Sequence, residues 1–450
     1  MKVFRWFLIA GGWLLYLVPH SVLGADSKSL EDRMETLDQR QQVLEEHWKT
    51  EQEKALKKGA SDLYVGENGL IGKSSNGDFS IRLGGVLQAD ERIFTGTNLA
   101  GVNGDTFVLR RVRPIFEGTL YRSFDFRIMP DFGSGTTTLQ DGYVGINLLP
   151  ELKLLAGKYK TPFGLERNQT DADTEFAERS LVDNLVPNRD VGIRLHGDIG
   201  NGVFDYAIGI FNGVMDSGSA DVDNNNSKDF AGRIFAHPFK QSGIDWLKGL
   251  GLGVAGTIGD HSGTLATPNL PSYMTPGQRA FFSYSPSTGT TIANGEQRRI
   301  SPQAYYYVGP FGMLSEYVSS TQGVVKSTSS ATLENKAWQV AAYYVLTGEA
   351  ASYHGIKPNH PFDPKTGQWG AFELTARYHQ LAVDKNAFPI YADPTKAAQK
   401  AVAWGTGLNW YFNKNFKFVA NYENTSFNGG AIGADRPTEK VFITRFQIAF

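Results

Sequence analysis

The sequence predicts an all-β fold, a transmembrane antiparallel β-barrel of about 16 strands behind a short N-terminal periplasmic helix or coiled coil. The prediction rests on segments of alternating apolar and polar residues, on connections that alternate between short and long, and on the last strand. In that strand Phe442, Phe446 and Phe450 share one face, whereas Arg445 and Gln447 lie on the other. An apolar outer face that ends on an aromatic residue suits lipid better than water.

Residues 1–25 are predicted to be a secretory signal peptide. Lys2 and Arg5 precede a short apolar run from Trp6 to Val18, and small residues follow it. The alternative is an N-terminal membrane anchor, but the run is shorter than the ~20 apolar residues of a spanning helix. Removal of this segment changes the formal charge from −2 to −4, and a mildly acidic chain does not suit a general nucleic-acid binder. The chain has no cysteine, so disulfides and cysteine-based metal or redox sites are excluded.

Residues 26–60 are predicted to form a helical, coiled-coil-like segment in the periplasm. Side chains at the four–three spacing of a coiled-coil seam are Leu30, Met34, Leu37, Gln41, Leu44 and Trp48. A seam of about three heptads is marginal as an isolated helix. Assembly into a homotrimer would support the helix by raising the local concentration of its partners. The alternative is a solvated amphipathic helix that packs on nothing.

Residues 77–450 are predicted to form the barrel. Strand-like segments begin near residues 78, 106, 123, 139, 152, 189, 203, 229, 249, 299, 311, 336, 370, 402, 416 and 439. Their length of roughly ten residues is what a tilted strand needs to cross a bilayer. The long connections lie near residues 95–105, 162–188, 213–227, 260–297 and 384–400, and short turns lie between them.

One connection departs from this alternation. Residues 347–369 are long and rich in proline where a short turn is due. An even number of strands puts both termini on the periplasmic side, and a barrel of this width leaves an aqueous lumen. A soluble β-sandwich or propeller would also alternate, but it would lack the asymmetry of loop length, and no blade-length repeat is visible.

The loop 162–188 is the candidate constriction loop. It carries six acids and two bases, which are Glu166, Asp171, Asp173, Glu175, Glu178 and Asp183 against Arg167 and Arg179. If the loop folds into the lumen, its carboxylates face basic residues of the strands, and such a transverse field sorts ions. A solvated extracellular loop is the alternative.

The basic wall facing that loop is expected to contain Arg110, Arg111 and Arg113. Strand parity puts Arg111 and Arg113 on the lumenal face, with Arg110 pointing outward unless a bulge redirects it. Glu166 and neighbouring loop acids are expected to face these arginines. By the same parity argument, further lumenal candidates are Arg82, Arg127, Arg194, Arg377 and Arg445. Parity leaves Lys158 and Lys160 at the rim of the barrel.

Enzyme signatures are absent from the sequence. There is no phosphate-binding P-loop, no dinucleotide glycine fingerprint and no HExxH zinc motif. The spacing of His354 and His360 matches no metal motif, and nothing orders a catalytic triad. We therefore expect no catalytic residue, metal site or cofactor, and a barrel hydrolase is the less favoured enzyme alternative.

Several stretches resemble the phosphate-selective porin O and P family. They include LRRVRPIFEG at residues 109–118, QDGYVG at 140–145, GKYKTPFGLE at 157–166 and WQVAAYYVLTGE at 338–349. The resemblance covers most of residues 77–450 and implies a sixteen-stranded, trimeric barrel that takes up anions through an arginine-bearing constriction. Arg110 and Arg111 look like the constriction arginines of the family, with Lys158 and Asp141 as companions.

The chain also departs from this family. Phosphate-specific members are thought of as carrying a dense basic ladder, whereas here Arg298 and Arg299 are the one basic pair near the long connection 260–297. The sequence therefore favours an outer-membrane diffusion porin for small hydrophilic solutes, with a weak preference for anions such as phosphate. The alternative is a structural barrel in the outer-membrane lipid, with a coiled-coil tether and no open pore.

Overall fold

The computed structural model describes residues 27–58, 61–95, 104–223, 225–285 and 289–450. The predicted signal peptide lies outside the described residues. Among the helices of the described ranges, none is both long enough and apolar enough to cross a bilayer.

Helix α1 (Ser27–Lys58) forms a unit of its own. Three residues of the predicted seam, Leu37, Leu44 and Trp48, are 64%, 66% and 70% exposed in the single chain. The amide of Gln41, the polar residue of the seam, donates to Glu45 one turn later at 3.2 Å. These three residues of the seam are thus uncovered in the single chain, and whether the helix forms a coiled coil stays a prediction.

The second unit, Ser61–Phe450, consists mainly of β-structure. Its first strands are β1 (Ser61–Gly66), β2 (Gly69–Ser74), β3 (Phe79–Phe94), β4 (Thr106–Leu120), β5 (Phe124–Asp131), β6 (Thr138–Leu149), β7 (Leu152–Lys160), β8 (Arg189–Ile199), β9 (Phe204–Phe211), β10 (Asp229–Ala236) and β11 (Leu250–Ser262). The others are β12 (Ser272–Met274), β13 (Ala280–Ser283), β14 (Ile292–Val308), β15 (Phe311–Lys326), β16 (Ser329–Val345), β17 (Ala371–Ala382), β18 (Ala398–Tyr411), β19 (Phe416–Ala431), β20 (Ala434–Asp435) and β21 (Glu439–Ala449). One helical turn, α2 (Leu165–Asn168), and short 3-10 helices at Leu181–Leu185, Asp245–Leu247 and Lys385–Ala387 lie in the connections.

Sixteen of these strands close an antiparallel barrel, as the sequence predicts. They are β3 to β11, β14 to β19 and β21, and closure comes from pairing of β21 with β3. Two strands begin well before the positions expected from the pattern, at Ile292 and Ser329. These strands are 17 residues long, so their ends continue past the length needed to span a bilayer.

The β1–β2 hairpin was not foreseen, and it extends the sheet to residues before 77. Strand β21 ends at Ala449, which pairs with Val86, and Phe450 bonds to Gly85, so β21 leaves one edge of the start of β3 unpaired. Strand β2 pairs with that part of β3, with Leu70 opposite Leu83. The hairpin therefore covers a sheet edge that would otherwise expose unpaired backbone groups.

The side chains of the barrel strands alternate as the pattern predicts. In β21, Val441, Ile443 and Arg445 are buried, whereas Phe442 and Phe446 are exposed on the outer face. Outward aromatic residues also pair across strands at two levels, namely Trp338–Tyr378, Trp404–Tyr422, Phe372–Trp410 and Phe418–Phe446. Such bands are typical of the two interfaces of a bilayer.

Phe450 departs from the expected outward set. It follows the last residue of β21 and lines the cavity at the short-turn end of the lumen. Its carbonyl accepts hydrogen bonds from the Gly85 amide at 2.9 Å and from Arg82 at 3.1 Å. The Phe450 amide also donates to the Gly85 carbonyl at 3.0 Å, so backbone pairing with β3 continues to the last residue.

Three long connections at the long-loop end of the barrel fold into the lumen. Their buried residues, with wall residues, make one hydrophobic core that includes Phe163, Leu181, Tyr273, Phe282 and Tyr391. The proline-rich connection between β16 and β17 enters from the other end, where the Tyr353 hydroxyl donates to the Leu165 carbonyl at 2.6 Å. Part of the lumen is therefore filled with protein rather than water.

Candidate pore constriction

Wall side chains hold the backbone of the loop between β7 and β8 inside the lumen. Four of them donate hydrogen bonds to loop carbonyls, namely Gln303 to Phe163, Gln88 to Asp171 (2.9 Å), Lys417 to Thr174 (2.8 Å) and Asn409 to Glu175 (2.8 Å). Three accept hydrogen bonds from loop amides, namely Glu316 from Leu165 (2.7 Å), Asn421 from Ala177 (2.7 Å) and His379 from Leu181 (2.9 Å). Buried backbone groups need such partners, because an unpaired one costs free energy. The loop thus lies along the wall from β14 round to β3.

The loop begins with helix α2, which packs against the wall by its N-terminus. The carboxylate of Glu316 accepts hydrogen bonds from the first two helical amides, those of Leu165 and Glu166. A carboxylate at a helix N-terminus meets unpaired amides and the positive end of the helix dipole. This contact, between residues about 150 positions apart in the sequence, sets the path of the following residues across the lumen.

Three arginines converge on Asp171, which lies after α2. The Asp171 carboxylate is 2.7 Å from Arg179, 3.4 Å from Arg111 and within hydrogen-bond distance of Arg113. Asp131 also binds Arg113, at 2.7 Å. Arg111 and Arg113 come from β4 and Arg179 from the loop, so this cluster joins the loop to the barrel wall.

Arg110 turns into the lumen through a β-bulge. Gln88 pairs with Arg111 and the next residue, Ala89, pairs with Leu109, which leaves Arg110 as the extra residue of β4. The Arg110 guanidinium then binds the loop carboxylate of Glu178 twice, at 2.5 and 3.1 Å. A bulge is the condition under which Arg110 was expected to point inward, and β4 has one at this residue.

Glu166 lies elsewhere than expected. Its carboxylate accepts hydrogen bonds from the Ser180 amide at 3.0 Å and from Gln339 at 2.9 Å, and it lies 3.6 Å from Arg377. The expectation that Glu166 faces Arg111 and Arg113 is therefore wrong, and Asp171 takes that position. The reason is the docking of α2 on β15, which directs Glu166 toward the β16 and β17 wall.

Asp141 and Lys158, which the family resemblance suggests as companions of the constriction arginines, lie in different surroundings. Asp141 lines the lumen and binds Arg189 at 2.8 Å and Arg127 at 3.2 Å. Lys158 instead binds Asp221 of a neighbouring connection at 2.5 Å, and among the described residues it does not line either lumenal cavity beside the arginine cluster. Lys160 reaches the lumen, where its ammonium group donates to the Gln169 carbonyl at 2.8 Å.

The remaining lumenal arginines predicted from parity have interior partners. These contacts are Arg82–Glu117 (2.6 Å), Arg127–Glu117 (2.6 Å), Arg194 over the Tyr159 ring (4.8 Å), Arg377–Glu423 (2.7 Å) and Arg445–Asp90 (2.6 Å). Arg377 also donates to the Glu178 carbonyl at 2.9 Å, so it holds the loop rather than facing the solute path.

Two cavities meet the arginine cluster from opposite sides. The one at the long-loop end has a volume of about 210 Å³ and is lined by Arg110, Arg111, Arg167 and Arg179, with Glu178 and Asp183. The one at the short-turn end has about 410 Å³ and is lined by Arg82, Arg113, Arg127, Lys160, Arg189 and Arg194, with Asp141 and Asp171. Basic side chains outnumber acidic side chains in both linings.

Sequence reasoning missed the roles of Arg167, Arg179 and Arg189. The first two were counted only as the minority charge of an acidic loop, and Arg189 was taken as the end of that loop. No local signal identifies them as lining residues, because their positions depend on how the loop crosses the lumen.

Burial and neighbouring charge set opposite protonation preferences for two loop carboxyls. Burial disfavours ionisation of Asp171, but Arg111, Arg113 and Arg179 outweigh it and hold the pKa of Asp171 well below its usual value. Burial raises the pKa of Asp183 above its usual value, although Arg167 opposes the change. At neutral pH the Asp171 carboxylate is therefore a full negative charge within the cluster.

The model of the family described as phosphate-selective porin O and P matches residues 81–450. Porin O of Pseudomonas aeruginosa is 25% identical over 437 residues, which cover 87% of this chain and 93% of that protein. Among solved structures, the outer membrane channel DcaP of Acinetobacter baumannii has a TM-score of 0.54 at 11% identity, covering 84% of this chain and 99% of its own. OmpT of Vibrio cholerae has a TM-score of 0.51 at 11% identity, covering 83% and 98%.

At 11% identity the two structural likenesses show the fold alone. The family match is of a different kind, because it spans the barrel from β3 to the last residue and includes the arginine-bearing strand β4. The resemblance seen in the sequence is confirmed, and the chain belongs to the phosphate-selective porin O and P family of outer-membrane porins.

Proposed function

We propose that this porin is a passive diffusion channel with a preference for small anions such as phosphate. The observation that supports it is the excess of basic side chains over acidic ones in both cavities beside the loop. A lumen with low-dielectric walls and one predominant sign of charge concentrates counter-ions of the opposite sign. Guanidinium groups also match the geometry of oxyanions, to which they donate paired hydrogen bonds.

The preference is expected to be modest because most of these cations already have anionic partners. Arg110 is bound to Glu178, and Arg111, Arg113 and Arg179 are bound to Asp171. The net positive charge that a solute meets is thus the charge of the basic side chains less that of their acidic partners. Conduction also needs binding that is weak enough for release.

Assembly as a homotrimer in the outer-membrane lipid, with α1 in the periplasm, is part of the same proposal. The uncovered seam residues Leu37, Leu44 and Trp48 support association of α1 with further copies of itself. The outward aromatic pairs at two levels support contact of the barrel with a bilayer.

The alternative of a closed structural barrel is less favoured. Cavities reach the arginine cluster from both ends of the lumen. A barrel that served only as a tether would need no such polar cavities. The family consists of channels, which gives the hydrolase alternative no support.

Planar-bilayer recording of the purified protein tests the proposal. We expect stepwise conductance, a reversal potential across a potassium chloride gradient that shows anions to be more permeant than cations, and reduction of the chloride current by phosphate. A folded barrel without conductance would support the tether instead. A cation-selective reversal potential would overturn the anion preference.

A further inference from the structure

Asp171 lies at a place in the lumen where several guanidinium groups surround one carboxylate. Its carboxylate meets three guanidinium groups, from Arg111, Arg113 and Arg179, and it is only 8% exposed. By comparison Asp183, another acid of the same loop, has one arginine partner in the described structure, Arg167. Glu178 also has three arginine neighbours, Arg92, Arg110 and Arg445, but it lines only the cavity at the long-loop end.

The cluster also lies where the two cavities approach each other. Asp171 and Arg113 line the cavity at the short-turn end, whereas Arg111 and Arg179 line the cavity at the long-loop end. A solute that passes between the cavities therefore passes these four side chains.

We propose that Asp171 is a built-in competitor for the anion-binding point of the channel. Its carboxylate occupies the position that a permeating oxyanion such as phosphate takes, and the oxyanion displaces it during passage. This inference rests on the proposed anion preference, and it identifies the side chain that limits the affinity of the channel for a permeating oxyanion. A doubly charged oxyanion offers more charge and more acceptor oxygens than one carboxylate, so it competes better than chloride does.

The surroundings allow the carboxylate to leave without moving the loop. The backbone at Asp171 is held separately, by the Gln88 amide on its carbonyl at 2.9 Å. The guanidinium groups also keep other partners, since Arg113 binds Asp131 at 2.7 Å and Arg111 donates to the Gln88 side chain at 2.6 Å. The binding point therefore remains organised when Asp171 rotates away, which lowers the cost of binding a solute.

The test compares Asp171→Asn with Asp183→Asn in planar bilayers, with phosphate added against a chloride current. Both variants remove one negative charge from the same loop, but only the first vacates the three-arginine position. We expect the half-blocking phosphate concentration to fall by about tenfold in Asp171→Asn, the equivalent of one charge-assisted hydrogen bond. In Asp183→Asn we expect a change below about threefold, because screening weakens a charge effect that involves no direct contact.

A second substitution covers the case in which Asp171→Asn does not insert. Asp171→Ser also removes the carboxylate and must lower the half-blocking concentration in the same direction. An unchanged or higher half-blocking concentration, or equal shifts in the Asp171 and Asp183 variants, overturns the inference while an anion-selective wild type leaves the proposed function standing. A wild-type channel that is cation-selective and insensitive to phosphate overturns the proposed function itself.

Discussion

The two halves of the lumen wall use polar side chains to bind different parts of the loop between β7 and β8. On the side of β14 to β19, side chains such as Glu316, His379 and Asn421 bind the backbone of the loop. On the side of β3 to β8, side chains such as Arg111 and Arg113 meet the loop through its carboxylates and line cavities.

The difference shows how one loop can be both held and functional. Backbone groups offer fixed dipoles, and pairing them makes the loop part of the wall. Carboxylates are mobile side chains, and pairing them leaves an arrangement that a competing anion can enter. We therefore expect substitutions on the first side to change stability and substitutions on the second side to change selectivity.

The largest effect is expected from Arg377 on the β14–β19 side. Arg377→Met removes the partner of buried Glu423, 2.7 Å away, and a hydrogen bond to the Glu178 carbonyl. Loss of one member of a buried ion pair costs about 3–5 kcal/mol. Thermal unfolding in detergent should show a clearly lower midpoint. Arg122→Met, which breaks an exposed pair with Asp78, is the control and should change stability by at most ~0.5 kcal/mol.

The next effect concerns selectivity on the β3–β8 side. Replacing Arg110 and Arg111 by Ala should lower the anion-to-cation permeability ratio by about fivefold, because one unit charge at ~4 Å contributes about 1 kcal/mol even in water. The effect should fade at 1 M salt, where the Debye length is ~3 Å. Lys158→Ala is the control, since Lys158 binds Asp221 instead of lining the cavities. Reversal potentials that do not move in the double variant would remove these arginines from the constriction.

A smaller effect is expected from pH. The pKa of Asp183 is raised by burial, whereas that of Asp171 is held low by its arginines, so acidification from neutral pH protonates Asp183 first. Loss of that negative charge should raise the anion-to-cation permeability ratio as the pH falls. Reversal potentials measured in steps below pH 7 check this, and Asp183→Asn should show a high ratio with little pH dependence. A ratio that falls on acidification contradicts the assignment.

Asp171 and Asp183 are expected to change the stability of the fold in opposite directions as the pH falls. A depressed folded-state pKa stabilises the folded state above the unfolded value, and this contribution is lost as the pH falls through the folded pKa. The ion pairs of Asp171 should therefore persist below the usual titration range of an aspartate. A raised pKa works the other way, so protonation of Asp183 on mild acidification favours the folded loop.

The smallest effect on the barrel is expected from removing the helix. Deletion of residues 26–58 spares the β1–β2 hairpin, and the barrel should fold and conduct with unchanged single-channel conductance. A deletion that also removes the hairpin, residues 26–74, exposes the edge of β3 and should lower the thermal midpoint. If the shorter deletion already prevents insertion, the helix is integral to the barrel and the domain division proposed from the sequence is wrong.

The sequence by itself determined the barrel, because the signals involved are local. Side chains alternate with a period of two, so Arg445 and Gln447 separate from Phe442 and Phe446 whatever the remainder of the chain does. The same period identified Arg111 and Arg113 as lumenal. Turn length and the extent of each alternating segment then led to the strand number.

Only the tertiary structure decided which charges meet. Glu166 and Asp171 are five residues apart in one acidic loop, and no pattern distinguishes them. Their separation follows from the hydrogen bond between Leu165 and Glu316, which are 151 positions apart. That contact turns Glu166 toward Gln339 and lets Asp171 reach the arginines of β4. Contacts over such distances depend on the closed barrel, and a period of two carries no information about them.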